Sequence, residues 1–253
     1  MSEPVHREFT ATLREAIAGL AAADPELARF GAARHRYALA PVIEPSVAAA
    51  WPDELREFAT AVAGGGAGPY YGVLALDRTQ PIAAPAGVSA WQTALPVSHL
   101  GCGYAALVAL DGPARGEVWL DARALGIVTA IHPSFTAYYL DWIDRVASGR
   151  WLLGLVPPGQ CALASALSGF LGIHERQLGI PEGSLAGAEL AAALGMLGPG
   201  SIAIAAESPL PLFVAGDPVD PCVTCARLVD NLAAQGLRRD VLVPGVVPIT
   251  EAT

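Results

Sequence analysis

The stretch of residues 64–77, GGGAGPYYGVLALD, decides how the rest of the chain is read. Its glycines invite a phosphate-loop reading, in which backbone N–H groups crowd an anion at a helix N-terminus and, in the P-loop form, a lysine reaches the outer phosphates. The chain contains no lysine. The dinucleotide form wants G-x-G-x-x-G after a strand and before a helix, and counting from Gly66 the third position holds Tyr71. The order of elements is reversed as well. Residues 52–63, PDELREFATAVA, place Leu55, Phe58, Ala59 and Val62 along one side and proline in the first turn, which predicts a helix. Residues 70–76 predict a strand. The loop therefore leaves a helix, and its expected role is to end that helix in the left-handed conformation that glycine adopts without a Cβ clash.

Upstream, Val5, Phe9, Leu13, Ile17 and Leu20 recur at spacings of three and four, the stripe of an amphipathic helix over residues 4–22. A short helix is expected over residues 24–30 and a brief strand over 37–40. Downstream, residues 104–110 and 117–122 predict strands joined by the turn-rich DGPARG. Residues 134–147 carry Phe135, Tyr138, Tyr139, Trp142, Ile143 and Val146 at helical spacing, with Gly149 behind. Helices on either side of an antiparallel sheet give an α+β class. A composition change near residue 155 predicts two parts, residues 1–155 and a C-terminal α/β extension over 156–253. In the extension, strands are expected at 201–206 and 210–214 and a helix at 225–235.

The 253 residues are 53% hydrophobic and 15% charged, so the chain has the means to bury a substantial core. A formal charge of −9 argues against nonspecific binding to nucleic acid or an anionic membrane, and suits either a basic partner or solubility alone. No segment offers the ~20 uninterrupted apolar residues of a bilayer span. Glu3 and Glu8 stand where a signal peptide has its basic flank, so a cytoplasmic location is expected. Four cysteines, Cys102, Cys161, Cys222 and Cys225, are too few and too unevenly placed for a disulfide scaffold.

Three segments together resemble the SUKH superfamily of bacterial immunity and adaptor proteins. They are FGAARHRYALAP (residues 30–41), WPDELREFATAVAGGGAGPYYGVLAL (51–76), and GCGYAALVALDGPARGEVWLD (101–121) followed by FTAYYLDWI (135–143). The resemblance spans residues 30–147 and leaves the extension outside. It implies a bent antiparallel sheet flanked by helices, a structural role for GGGAGPYYG, and binding in place of catalysis. Many relatives neutralise protein toxins, often nucleases, exchanged between competing bacteria; others are docking scaffolds.

No catalytic set is expected. The five histidines, His6, His35, His99, His132 and His174, sit in separate segments, and His35 falls in the family-like FGAARHRY. His99 and Cys102 offer a nucleophile pair, against which Gly101 and Gly103 read as a tight strand entry. In the extension, Cys222 and Cys225 form a C-x-x-C at the start of a helix. Such a pair serves redox chemistry, supplies half of a zinc site, or has no special role. Zinc needs two more ligands, which leaves Cys161, His174 or a second subunit to provide them. In strand GEVWLD, alternation puts Glu117, Trp119 and Asp121 on one side, which reads either as an aromatic anchor between acids that suits a basic protein partner or as Trp119 packed under a helix with the acids near the strand ends. The leading expectation is a non-enzymatic protein that binds and neutralises a basic toxin, without a cofactor. The alternative is a thiol- or zinc-dependent module in which the Cys222–Cys225 region carries the activity and the front part is a docking scaffold.

Overall fold

The computed structural model describes residues 3–150, 152–156, 162–206 and 212–248. The chain forms two compact units, Met1–Leu100 with Tyr104–Leu153 and Pro248–Thr253, and Gly101–Gly103 with Gly154–Val247.

The first unit is α+β. Five antiparallel strands follow one another across the sheet in chain order: β1 (Ile82–Ala83), β2 (Thr93–Gly101), β3 (Tyr104–Ala109), β4 (Val118–Ala122) and β5 (Ile127–His132). Every residue of β3 is buried, which is why YAALVA reads as a continuous apolar run and not an alternating one. Between β4 and β5 the register slips at Val118/Trp119, where Val118 faces His132 but Trp119 faces Ala130.

Flanking the sheet are α1 (Glu3–Ala23), the short α2 (Ala32–His35), α3 (Asp53–Glu57) and α4 (Phe135–Ala147). The predicted stripe of α1 is buried at Leu13, Ile17 and Leu20; the side chains of Val5 and Phe9 lie outside the described part. Helix α4 starts at Ser134, whose hydroxyl accepts the Ala137 N–H at 3.2 Å, a conventional N-cap. Its aromatic face is buried at Phe135, Tyr138, Tyr139 and Trp142. Phe58 packs on Phe135 and Tyr139 at centroid distances of 5.0 and 4.8 Å.

The glycine turn differs from the sequence expectation in mechanism. After α3 the chain widens into a π-helical turn, Phe58–Val62, and leaves it through Ala63 in extended conformation. Arg14 of α1 donates to the carbonyls of Ala61 and Val62 at 3.3 and 2.8 Å, satisfying acceptors exposed at that helix end. No glycine caps the helix. The glycines instead let backbones crowd together: Gly66, at φ 97°, pairs with both Leu39 and Val73, and a Cβ there would stand 2.4 Å from the Ala38 carbonyl. Its amide donates to Val73 at 2.8 Å, while Gly64 donates to Pro41 at 2.9 Å and Ala67 to Ala38 at 2.6 Å. These N–H groups are committed within the fold, so they are not presented to a phosphate.

Other sequence expectations are corrected locally. Residues 70–76 make single bridges and no ladder, because Tyr70 turns at φ 57° and Gly72 at φ 105°. Residues 24–30 form turns in place of a helix, since the Asp24 carboxylate captures the Ala28 and Arg29 amides at 2.8 and 3.2 Å. Residues 37–40 supply one bridge, Leu39 to Gly66.

The second unit contains α5 (Ala162–Leu178), α6 (Gly187–Gly195) and α7 (Val223–Ala233). The strand expected at 201–206 is reduced to isolated bridges, Ile202 to Leu242 and Ala205 to Pro218. Of the strand expected at 210–214, residues 210 and 211 lie outside the described part, and residues 212–214 are turn and coil. Glu175, 3% exposed, accepts the Gly183 and Leu185 amides at 2.9 and 3.1 Å and so fixes the loop after α5.

Candidate functional site

The strongest chemical constellation lies in the second unit, where three thiols meet. Cys222 is the N-cap of α7 and Cys225 occupies its first turn, both buried. The i, i+3 spacing puts both side chains on one face at the positive end of the helix dipole, a setting that favours the thiolate form.

The third sulfur comes from Cys102, in the turn between β2 and β3. All three Sγ atoms lie within 4.8 Å of one another. Gly101, Cys102 and Gly103 stand at φ 85°, 54° and 77°, three consecutive left-handed residues. A non-glycine residue in that region is sterically costly, so surrounding contacts must hold Cys102 there. They are visible: the Cys102 amide donates to the Asp220 carbonyl at 2.7 Å, and the Cys222 amide donates to Cys102 Sγ at 3.1 Å. Gly101 makes the approach sterically feasible, because a Cβ there would fall 2.3 Å from the Pro221 carbonyl oxygen.

The sulfurs of Cys102 and Cys225 are 3.6 Å apart. A disulfide needs about 2.05 Å, so the pair is not bonded. Three thiolates on a tetrahedral zinc, each about 2.3 Å from the metal, sit roughly 3.8 Å apart. The cluster is therefore arranged as ligands are. Cys225 also lines a cavity of ≈ 730 Å³ walled by α5 and α7, with Leu167, Leu171, Leu228 and Leu232 among its apolar residues. His174, one of the partners the sequence suggested for Cys222 and Cys225, is not in the cluster, and Cys161 lies outside the described residues.

The proposed partner-binding strand fares differently. Trp119 is half-buried in an edge-to-face contact with Trp91 at 6.1 Å, and its Nε1 is buried without a hydrogen-bond partner among the described residues. Glu117 is half-buried. Asp121 is only 1% exposed; it accepts the Arg123 backbone amide at 3.1 Å and its Nε–H at 3.0 Å, and pairs with the rest of that guanidinium. Strand alternation alone had put Asp121 outward. The 3-10 turn Arg123–Leu125 brings its own arginine back over that carboxylate, so Asp121 is not a surface steering charge.

Two histidines have structural surroundings. His35 accepts the Tyr37 amide on Nδ1 at 3.1 Å and meets the Trp142 ring edge-on at 5.7 Å. Burial lowers its pKa to about 4 against the opposing pull of Asp24. His99 is wholly buried in β2 and stacked on Tyr71 at 5.2 Å; burial lowers its pKa to about 3. Both are neutral near pH 7. Asp24 stays charged: despite burial, the Tyr37 hydroxyl at 2.8 Å and the Arg29 and Ala28 amides hold its carboxyl below the ordinary value.

Comparison with protein-family models, curated proteins and solved structures finds no match to this chain. Among the described residues no helix is long and apolar enough to cross a membrane.

Proposed function

We propose that the chain is a non-enzymatic binding protein of SUKH type that captures and blocks a basic protein toxin, with a nuclease as the expected toxin class. The observation that supports it most is that the segments carrying the resemblance interlock. Tyr139, from FTAYYLDWI, donates its hydroxyl to the Ala67 carbonyl of the glycine turn at 2.6 Å. Trp142 stacks on Tyr37 of FGAARHRY at 6.5 Å, and Gly66 bridges that segment at Leu39. Arg115, in the β3–β4 connection, donates to the Ala50 carbonyl at 3.1 Å. Residues scattered over the first unit thus depend on one another, as a shared fold motif requires.

The net charge of −9 gives the partner its sign, since long-range attraction accelerates encounter with a cationic surface. Of the strand residues, Glu117 and Trp119 keep some exposure and stay in the proposed contact face; Asp121 leaves it. The test is co-expression with basic nuclease toxin domains, beginning with any that genome sequencing finds beside this gene. Growth should be rescued and a stoichiometric complex should co-elute; a folded, abundant chain that neither rescues nor binds would overturn the reading.

A further inference from the structure

We propose that Cys102, Cys222 and Cys225 bind one zinc ion as a three-thiolate site, with the fourth tetrahedral position left to a water molecule or an added ligand. The inference goes beyond toxin binding and does not rest on it.

Four features of the second unit carry it. The three sulfurs lie within 4.8 Å of one another, and the 3.6 Å between Cys102 Sγ and Cys225 Sγ matches the roughly 3.8 Å expected around tetrahedral zinc. Two of the ligands stand at the N-terminus of α7, which stabilises the thiolates that zinc requires. The Cys222 amide donates to Cys102 Sγ at 3.1 Å, an orienting bond of the kind that surrounds metal ligands and lowers sulfur charge density. Finally, Cys102 is held at φ 54° between two left-handed glycines, a costly backbone arrangement whose result is to deliver one sulfur to the other two.

Soft, anionic sulfur donors in this number select zinc or copper(I) over magnesium or calcium, and the tetrahedral spacing fits zinc. Cys225 borders the ≈ 730 Å³ cavity, which gives an ion or an exogenous fourth ligand a route inward. Binding replaces the three thiol protons with the metal: three S–H bonds break, three S–Zn bonds form, and the protons go to solvent, with no change in oxidation state. Affinity therefore falls as pH is lowered.

The experiment uses the full chain purified without chelator and analysed for metal by mass spectrometry. The expected result is one zinc per chain, its loss on Cys102→Ser, Cys222→Ser or Cys225→Ser, and its retention in His174→Gln. Because loss of a structural metal also removes folding energy from a serine variant, the wild type is tested in addition by stripping and titration with cobalt(II). Thiolate-to-cobalt charge-transfer absorption and tetrahedral d–d bands should appear together and saturate at one equivalent. A wild type that holds no zinc and takes up no cobalt overturns the proposal. So does a wild type isolated with a disulfide among these cysteines that a dithiol reductant opens and an oxidant re-forms, which would assign the cluster to redox chemistry. Loss of zinc in His174→Gln would overturn the three-thiolate assignment.

Discussion

At the scale of single residues, the fold depends on positions where a side chain is absent or uncharged. Gly66 is the first. Its positive φ and the Ala38 carbonyl 2.4 Å from where a Cβ would stand leave no room for alanine. Gly66→Ala should lower stability by about 1 kcal/mol or more, measured by chemical denaturation. The same committed amides predict that ATP, GTP and dinucleotides do not bind, which calorimetry would check. The buried histidines set a pH response. Their folded values, about 4 for His35 and about 3 for His99, lie below the ordinary 6.5, so the unfolded chain takes up protons first as pH falls. Their contribution to stability is complete above about pH 6.5 and is lost progressively below it, levelling only near the folded values. The thermal midpoint should therefore drop between pH 7 and pH 4.5; a flat profile would contradict the burial of both rings.

At the scale of elements, α4 acts as the clamp on the glycine turn. Tyr139→Phe removes the 2.6 Å bond to the Ala67 carbonyl and leaves that acceptor buried, which should cost about 1–2 kcal/mol in denaturation with the fold retained. Helices α1 and α4 were legible in the sequence because a 3.6-residue apolar period survives whatever packs against it. Strands β3 and β4 were legible from their β-rich runs and the turn between them. Strand β2 was not: Pro96 interrupts it, and its burial from Ala94 onward erases alternation. The site was half legible. C-x-x-C announced Cys222 and Cys225, but Cys102 lies 120 residues before Cys222 and no local period connects them. The glycines on both sides of Cys102 were the available signal, since they mark a close backbone approach. Asp121 was misjudged because alternation assigns a face without knowing that Arg123 folds back onto it.

For the whole molecule, a charge of −9 predicts how the proposed toxin capture responds to salt. With a Debye length of roughly 8 Å at physiological ionic strength, the association rate should fall as salt rises while the dissociation rate changes little. Glu117→Arg should mainly slow association and Trp119→Ala should speed dissociation, both read by surface plasmon resonance on variants that melt normally. Asp121→Arg should instead lower the melting temperature, because it sets a second cation against Arg123 in a buried site. The discontinuity of the second unit also has a consequence in time. Cys102 emerges from the ribosome 120 residues ahead of Cys222. At about 5–20 residues per second, that is a wait of roughly 6–24 s. Throughout it, the nascent chain carries a glycine-flanked thiol whose neighbours have not yet been made, so oxidants or electrophiles present during translation reach Cys102 in a state that the finished protein never shows.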